Sequence, residues 1–159
     1  MDITKEWANT QNKKGSVTNR QFYTIDNVKY NVDGKHVILE PSDKEKFIAS
    51  ILCDKYGKDV ELLPRVSYPP NIQTPDYLIN GQRYDLKSIM GSGKDMLRDI
   101  LKKKKKQAPN FILDITNCPL PIENLIQQIK GIYTSNRTKF VNTIVLFRDD
   151  SVIAVYNRQ

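Results

Sequence analysis

The 159-residue chain holds one histidine, two cysteines and one tryptophan. With His36 alone and no C-x2-C spacing, the ligand set of a zinc site is missing, so Zn²⁺ is the least favoured metal. Cys53 falls in an expected helix and Cys118 in a Pro-flanked loop. Two unpatterned cysteines point to reduced thiols in a cytoplasmic setting, with a single disulfide left open. No apolar run reaches the ~18 residues of a membrane span, and Met1 to Trp7 lacks the apolar core of a signal peptide. The module is therefore expected to insert in no membrane and to carry no export signal of its own.

What is present is ordinary for one globular domain with a real core: 39% hydrophobic and 27% charged residues. The net charge of +7 is unevenly placed. Between Arg83 and Gln107 nine cations (Arg83, Lys87, Lys94, Arg98, Lys102, Lys103, Lys104, Lys105 and Lys106) face three acids. Cations gathered in one stretch favour a polyanionic partner, most simply nucleic acid.

Residues 1–16 are polar around Trp7 and read as a linker or flexible arm. Residues 17–40 hold three short alternating runs (21–25, 28–32, 36–39), expected to form a small antiparallel meander packed on the core. His36 opens its third strand, in a surface or packing role. Residues 41–159 form the main domain. Its first helix starts at a Ser42/Glu45 capping box, with Phe47, Ile48, Ile51, Leu52 and Tyr56 as its buried stripe and Gly57 as its cap. Strand 60–63, a Pro-rich loop and a hairpin follow. A helix is then expected from about Lys94 to Lys105, a buried strand over 110–116, a helix over 122–133 and a closing hairpin around Asp149-Asp150.

The central hairpin, Thr74 to Ser88, turns on Asn80-Gly81, the pair best suited to a type I′ turn with φ > 0 at both positions. That register sets Tyr77 against Tyr84 and Asp76 against Asp85. Tyr77, Ile79, Tyr84 and Leu86 then share an apolar face, and Asp76, Asp85 and Lys87 share the other. Two carboxylates about 5 Å apart repel by roughly 3 kcal/mol at an effective dielectric near 20. A divalent cation, a shifted protonation state or the neighbouring Lys87 ammonium would relieve them. A turn residue at Asp76 and a solvated Asp85/Lys87 face is the plain alternative.

The order helix, strand, strand with Asp76, strand with Asp85 and Lys87, helix, strand resembles the αβββαβ core of the PD-(D/E)xK, or restriction-endonuclease-like, nucleases. The resemblance is closer still to the C-terminal nuclease modules of contact-dependent growth inhibition toxins, and similar modules end phage structural proteins. It is carried by Leu63-Pro-Arg-Val66, Thr74-Pro-Asp-Tyr77, Tyr84-Asp-Leu-Lys87, Lys106-Gln107, Asn110 to Ile115 and Val155-Tyr156. It covers about residues 36–159.

The resemblance implies an α/β (α+β) fold with a mixed central sheet flanked by helices, and a metal-dependent endonuclease toxin. Asp76 and Asp85 would hold Mg²⁺ or Mn²⁺, assisted by the Leu86 carbonyl, with Lys87 as base or electrostatic clamp. Glu45 and Gln107 are further catalytic candidates, although a capping box and a helix end explain them equally well. Arg83, Lys94, Arg98 and Lys102 to Lys106 would bind the nucleic-acid backbone, while the helix dipole explains part of that run. Tyr68, Tyr77 and Tyr84 offer stacking faces, and each also fits a core or loop role. The implied substrate is tRNA, ahead of DNA, in the target-cell cytoplasm, and the implied protein partner is a cognate immunity protein. Delivery would be as the C-terminal part of a larger exported or virion protein. A basic nucleic-acid-binding or virion-associated domain without catalysis is the rival from another class.

Overall fold

Strands β9 (Asn110–Asp114) and β10 (Thr143–Arg148) are apolar on both faces, so a sheet built on them needs cover on both sides. The computed structural model describes residues 1–10 and 13–159. Among these, seven strands form one mixed sheet in the order β1 (Ser16–Asn19), β5 (Asp59–Leu62), β7 (Tyr77–Ile79), β8 (Gln82–Ser88), β9, β10, β11 (Ser151–Asn157). The β1/β5, β8/β9 and β9/β10 pairs are parallel and the other three antiparallel.

One face packs on helix α2 (Asp43–Tyr56). There Ile48, Ala49, Leu52 and Tyr56 meet Val60, Tyr77, Ile79, Ile112 and Val145. The other face lies under α3 (Met96–Leu101) and α4 (Ile122–Thr134), where Leu97, Leu101, Leu125 and Ile129 meet Phe111, Leu113, Ile144 and Leu146. The neighbours Ile112 and Leu113 thus enter different layers, as the two-residue period of a strand requires.

Helix α2 starts at the expected capping box: the Glu45 N–H donates to Ser42 Oγ at 3.1 Å, and the Ser42 N–H to Glu45 Oε1 at 3.3 Å. It ends at Gly57 with φ of 64°, the left-handed cap. Its buried stripe corrects the sequence reading at one place. Ile48, Ala49, Leu52, Cys53 and Tyr56 keep the i, i+1, i+4 spacing of one face, which leaves Phe47 outside it and 47% exposed.

The expected central hairpin is present. Asn80 and Gly81 have φ of 49° and 80°, and Tyr77 pairs Tyr84 while Ile79 pairs Gln82. Tyr77 and Tyr84 are core residues, at 0% and 7% exposure, which rules out a stacking role for either.

The linker expected over residues 1–16 is packed where it is described; Gln11 and Asn12, inside that span, lie outside the described residues. Helix α1 (Thr4–Ala8) buries Trp7, the Lys58 ammonium lies 4.1 Å from its ring, and the Ile3 N–H donates to the Val155 carbonyl at 2.8 Å. One large apolar side chain finds a core built by the far end of the chain. The polar composition around Trp7 hid this.

The meander is a hairpin only. Strands β2 (Phe22–Ile25) and β3 (Val28–Asn31) pair, whereas β4 (Val37–Ile38) pairs with β6 (Arg65–Val66). Asp33 turns the chain away, its Oδ1 accepting from the N–H groups of Lys35, His36 and Val37. The helix expected over 94–105 is also shorter. After Leu101 the chain runs in turns, since five adjacent lysines repel at helical spacing and Pro109 follows.

Candidate active site

Strand β7 begins at Tyr77, so the ladder to β8 would stop one residue short of Asp76. The Asp76 side chain continues it: Oδ2 accepts the Leu86 N–H at 2.8 Å. In a strand the N–H and C=O of one residue point to the same edge, so the Leu86 carbonyl faces this opening too.

Asp85 lies across from Asp76 within hydrogen-bonding reach of it. It is 2% exposed, and its Oδ2 accepts no hydrogen bond, although the Lys87 Nζ stands 3.0 Å away. Burial and the Asp85 charge push the Asp76 carboxyl up to about 6. A buried carboxylate oxygen without a hydrogen bond, facing a second strained carboxyl, suits a hard cation. Among the described residues no third Asp, Glu, His or Cys completes a metal-binding group with them. Two carboxylates, with water and phosphate to complete the shell, are a donor set that fits Mg²⁺.

Arg65 joins this pair to α2. Its Nη2 lies 2.8 Å from Glu45 Oε1 and 3.4 Å from Asp76 Oδ1. Glu45 therefore caps the helix and faces the cleft with the same carboxylate. The Tyr77 hydroxyl donates to the Glu45 carbonyl at 2.7 Å and pins the start of α2 over the hairpin. Lys44, on the same rim, is 3.0 Å from Asp114 Oδ2 and donates to Ser88 Oγ at 2.8 Å.

These side chains line a cleft of about 520 Å³, with Gln107 on its wall. The Gln107 Oε1 is buried without a partner. Asp76, Asp85, Leu86, Lys87, Glu45 and Gln107 all come together here.

The cations expected along one helix scatter. Lys104 comes up beside Lys87, where burial and then the adjoining Lys87 ammonium lower its pKa. Arg83, Lys105 and Lys106 line a neighbouring groove, while Lys94 and Arg98 border another between α3 and α4. Arg98 and Lys102 pair with Asp95 and Asp99 at 3.3 and 3.2 Å, and Lys103 is exposed. A second ammonium beside Lys87 was invisible in a run read as surface charge. Arg65 stood in the matched block Leu63-Pro-Arg-Val66 without a role, and Lys44 had no sequence signal; the β4/β6 pairing and the α2 start bring them in.

Residues 73–152, which hold the Asp76–Lys87 hairpin, α3, β9 and α4, match the model of the contact-dependent growth inhibition CdiA C-terminal domain. The chain belongs to that family. As a CdiA C-terminal domain it also shares its fold with a solved structure, the CdiA-CT/CdiI toxin and immunity complex from Burkholderia pseudomallei. The TM-score is 0.59 at 19% identity, over 90% of this chain and 99% of that one. No curated protein matches the chain.

Proposed function

We propose that this CdiA C-terminal domain is a toxin that hydrolyses phosphodiester bonds of nucleic acid in a metal-dependent way, with tRNA favoured as substrate. The opposed Asp76–Asp85 pair with Lys87 beside it carries this reading. A repulsive, buried arrangement destabilises the fold and is retained where chemistry uses it.

Asp76, Asp85 and the Leu86 carbonyl would hold Mg²⁺ or Mn²⁺. When bound, such an ion polarises the scissile phosphate and makes a water more acidic. Lys87 orients the attacking water and stabilises negative charge building on the phosphate oxygens. Lys104 adds a second positive charge against the same phosphate. Arg65 holds Asp76 and Glu45 in place from the cleft mouth, and the Gln107 amide is free to bond the substrate phosphate or the water.

Family membership supports a place at the C-terminal end of a larger exported protein, with delivery to a target cell and action in its cytoplasm. A cognate immunity protein is the partner this implies, as the structural neighbour's toxin and immunity complex suggests. The cations of the cleft hold RNA and DNA backbones alike, so a DNase of the same fold is the second reading.

Incubation of the purified protein with total tRNA and with plasmid DNA, each with Mg²⁺ or EDTA, tests this directly. Cutting of tRNA that EDTA, Asp85→Ala and Lys87→Ala each abolish is expected. Cutting of DNA alone would transfer the assignment to the second reading. No cutting of either polymer, with salt-sensitive binding intact in all variants, would leave only a nucleic-acid-binding domain.

A further inference from the structure

The β2/β3 hairpin turns one face to a groove that the catalytic proposal does not use. Tyr23 pairs Tyr30 and Ile25 pairs Val28, so these four side chains share that face. It is tight at its tip, where Asp26 and Asn27 take φ of 50° and 64°. The opposite face is occupied by its own cations: Arg20 and Lys29 lie 4.3 and 4.4 Å from the Phe22 ring.

The groove, of about 620 Å³, has Ile25, Val28 and Tyr30 on one wall and Arg83, Lys105 and Lys106 on another. Asp26 at the hairpin tip is the one acid among its described lining residues. The Arg83 guanidinium is close enough to the Tyr23 phenol to offset part of the rise in pKa that burial gives it, so the hairpin lies near β8. Arg83, Asp85 and Lys87 alternate onto one face of β8, so the groove and the carboxylate pair lie along one strand. Ile72 and Gln73 line both the groove and the cleft. The two adjoin along this segment.

We infer that this groove is a subsite for an unpaired nucleotide next to the scissile phosphate, the base stacked on Tyr30 and its phosphate held by Arg83, Lys105 and Lys106. This rests on the nuclease reading for its substrate class and extends it: the substrate segment is single-stranded at the cut. An aromatic ring with cations across a narrow groove is the arrangement that holds single strands. Every base has a face to stack, whereas a duplex keeps its bases inside.

The test uses fluorescein-labelled single-stranded RNA and DNA oligonucleotides, and the same strands as blunt duplexes, bound in EDTA and read by anisotropy. Tyr30→Leu is expected to weaken single-strand binding by about 5- to 100-fold and to leave duplex binding unchanged, while Tyr30→Phe restores it. Lys105→Ser with Lys106→Ser weakens both and lowers the log–log salt slope for single strands by about 1.4. RNA bound more tightly than DNA would assign the subsite to RNA.

Single-strand affinity unchanged in Tyr30→Leu, at an unchanged melting temperature, would overturn the subsite. So would an unchanged salt slope in the lysine variant, whose exposed turn positions keep it folded. Mg²⁺-dependent cutting by the wild type would persist in those cases and leave the nuclease reading standing. Loss of stacking in Tyr30→Leu from a protein that cuts nothing would sink the nuclease reading and keep the groove as a binding site.

Discussion

Replacing Asp76 by Asn should stabilise the metal-free protein near pH 7.5. Asp76 titrates at about 6 in the fold against an ordinary 3.8, so its ionisation costs about 3 kcal/mol once the solution is above both values. The folded form binds the extra proton, so stability is fully present below pH 3.8 and is lost as pH rises through 6. Asn keeps an acceptor for the Leu86 N–H and ends the repulsion with Asp85. It also gives up the Arg65 contact at 3.4 Å, a partly exposed pair worth at most about 1 kcal/mol. A net gain of about 2 kcal/mol should raise the melting temperature by about 4 to 8 °C in EDTA at pH 7.5. The gain should vanish below pH 4. If the intact carboxylate pair holds Mg²⁺ as proposed, the ion should raise the melting temperature of the wild type and close the gap. An Asn variant less stable than wild type at pH 7.5 in EDTA would refute the picture of a strained pair.

Other substitutions probe the scaffold around the cleft. Trp7→Ala should cost about 3 to 5 kcal/mol by urea denaturation, since its pocket is built by α2 and β11; a loss below about 1 kcal/mol would return the N-terminal segment to a loose arm. Tyr77→Phe removes the donor to the Glu45 carbonyl and should cost about 1 to 3 kcal/mol, with slower cutting, as the start of α2 loosens over the hairpin. Gly15→Ala should unfold the protein at lower urea, because its Cβ would lie 1.9 Å from the Lys58 carbonyl oxygen where β1 joins the sheet.

The central hairpin was legible because one local signal, Asn80-Gly81, fixes a register, and register alone opposes Asp76 to Asp85. The two-faced strands and the α2 capping box were local in the same sense. The rest depends on distant partners. Trp7 is buried by contacts that nothing in residues 1–16 announces. The third run of the expected meander pairs with β6, from beyond α2. The lysine run was read as a helix because its neighbours Leu97, Ile100 and Leu101 keep helical spacing, while mutual repulsion unwinds it and brings Lys104 beside Lys87. Tyr77 and Tyr84, offered both as stacking rings and as core residues, lie buried on the apolar face that the hairpin register gives them. Arg65 stood in a matched block without a role, which only its bridge between Glu45 and Asp76 reveals.

The most direct measurement is the single-turnover rate of tRNA cleavage by the purified domain in Mg²⁺, set beside Asp85→Ala and Lys87→Ala. If the paired carboxylates and Lys87 are the catalytic centre, each substitution lowers the rate by at least about 10³-fold, with tRNA binding within about tenfold of wild type. Cutting at the wild-type rate in either variant, or in EDTA, would contradict it.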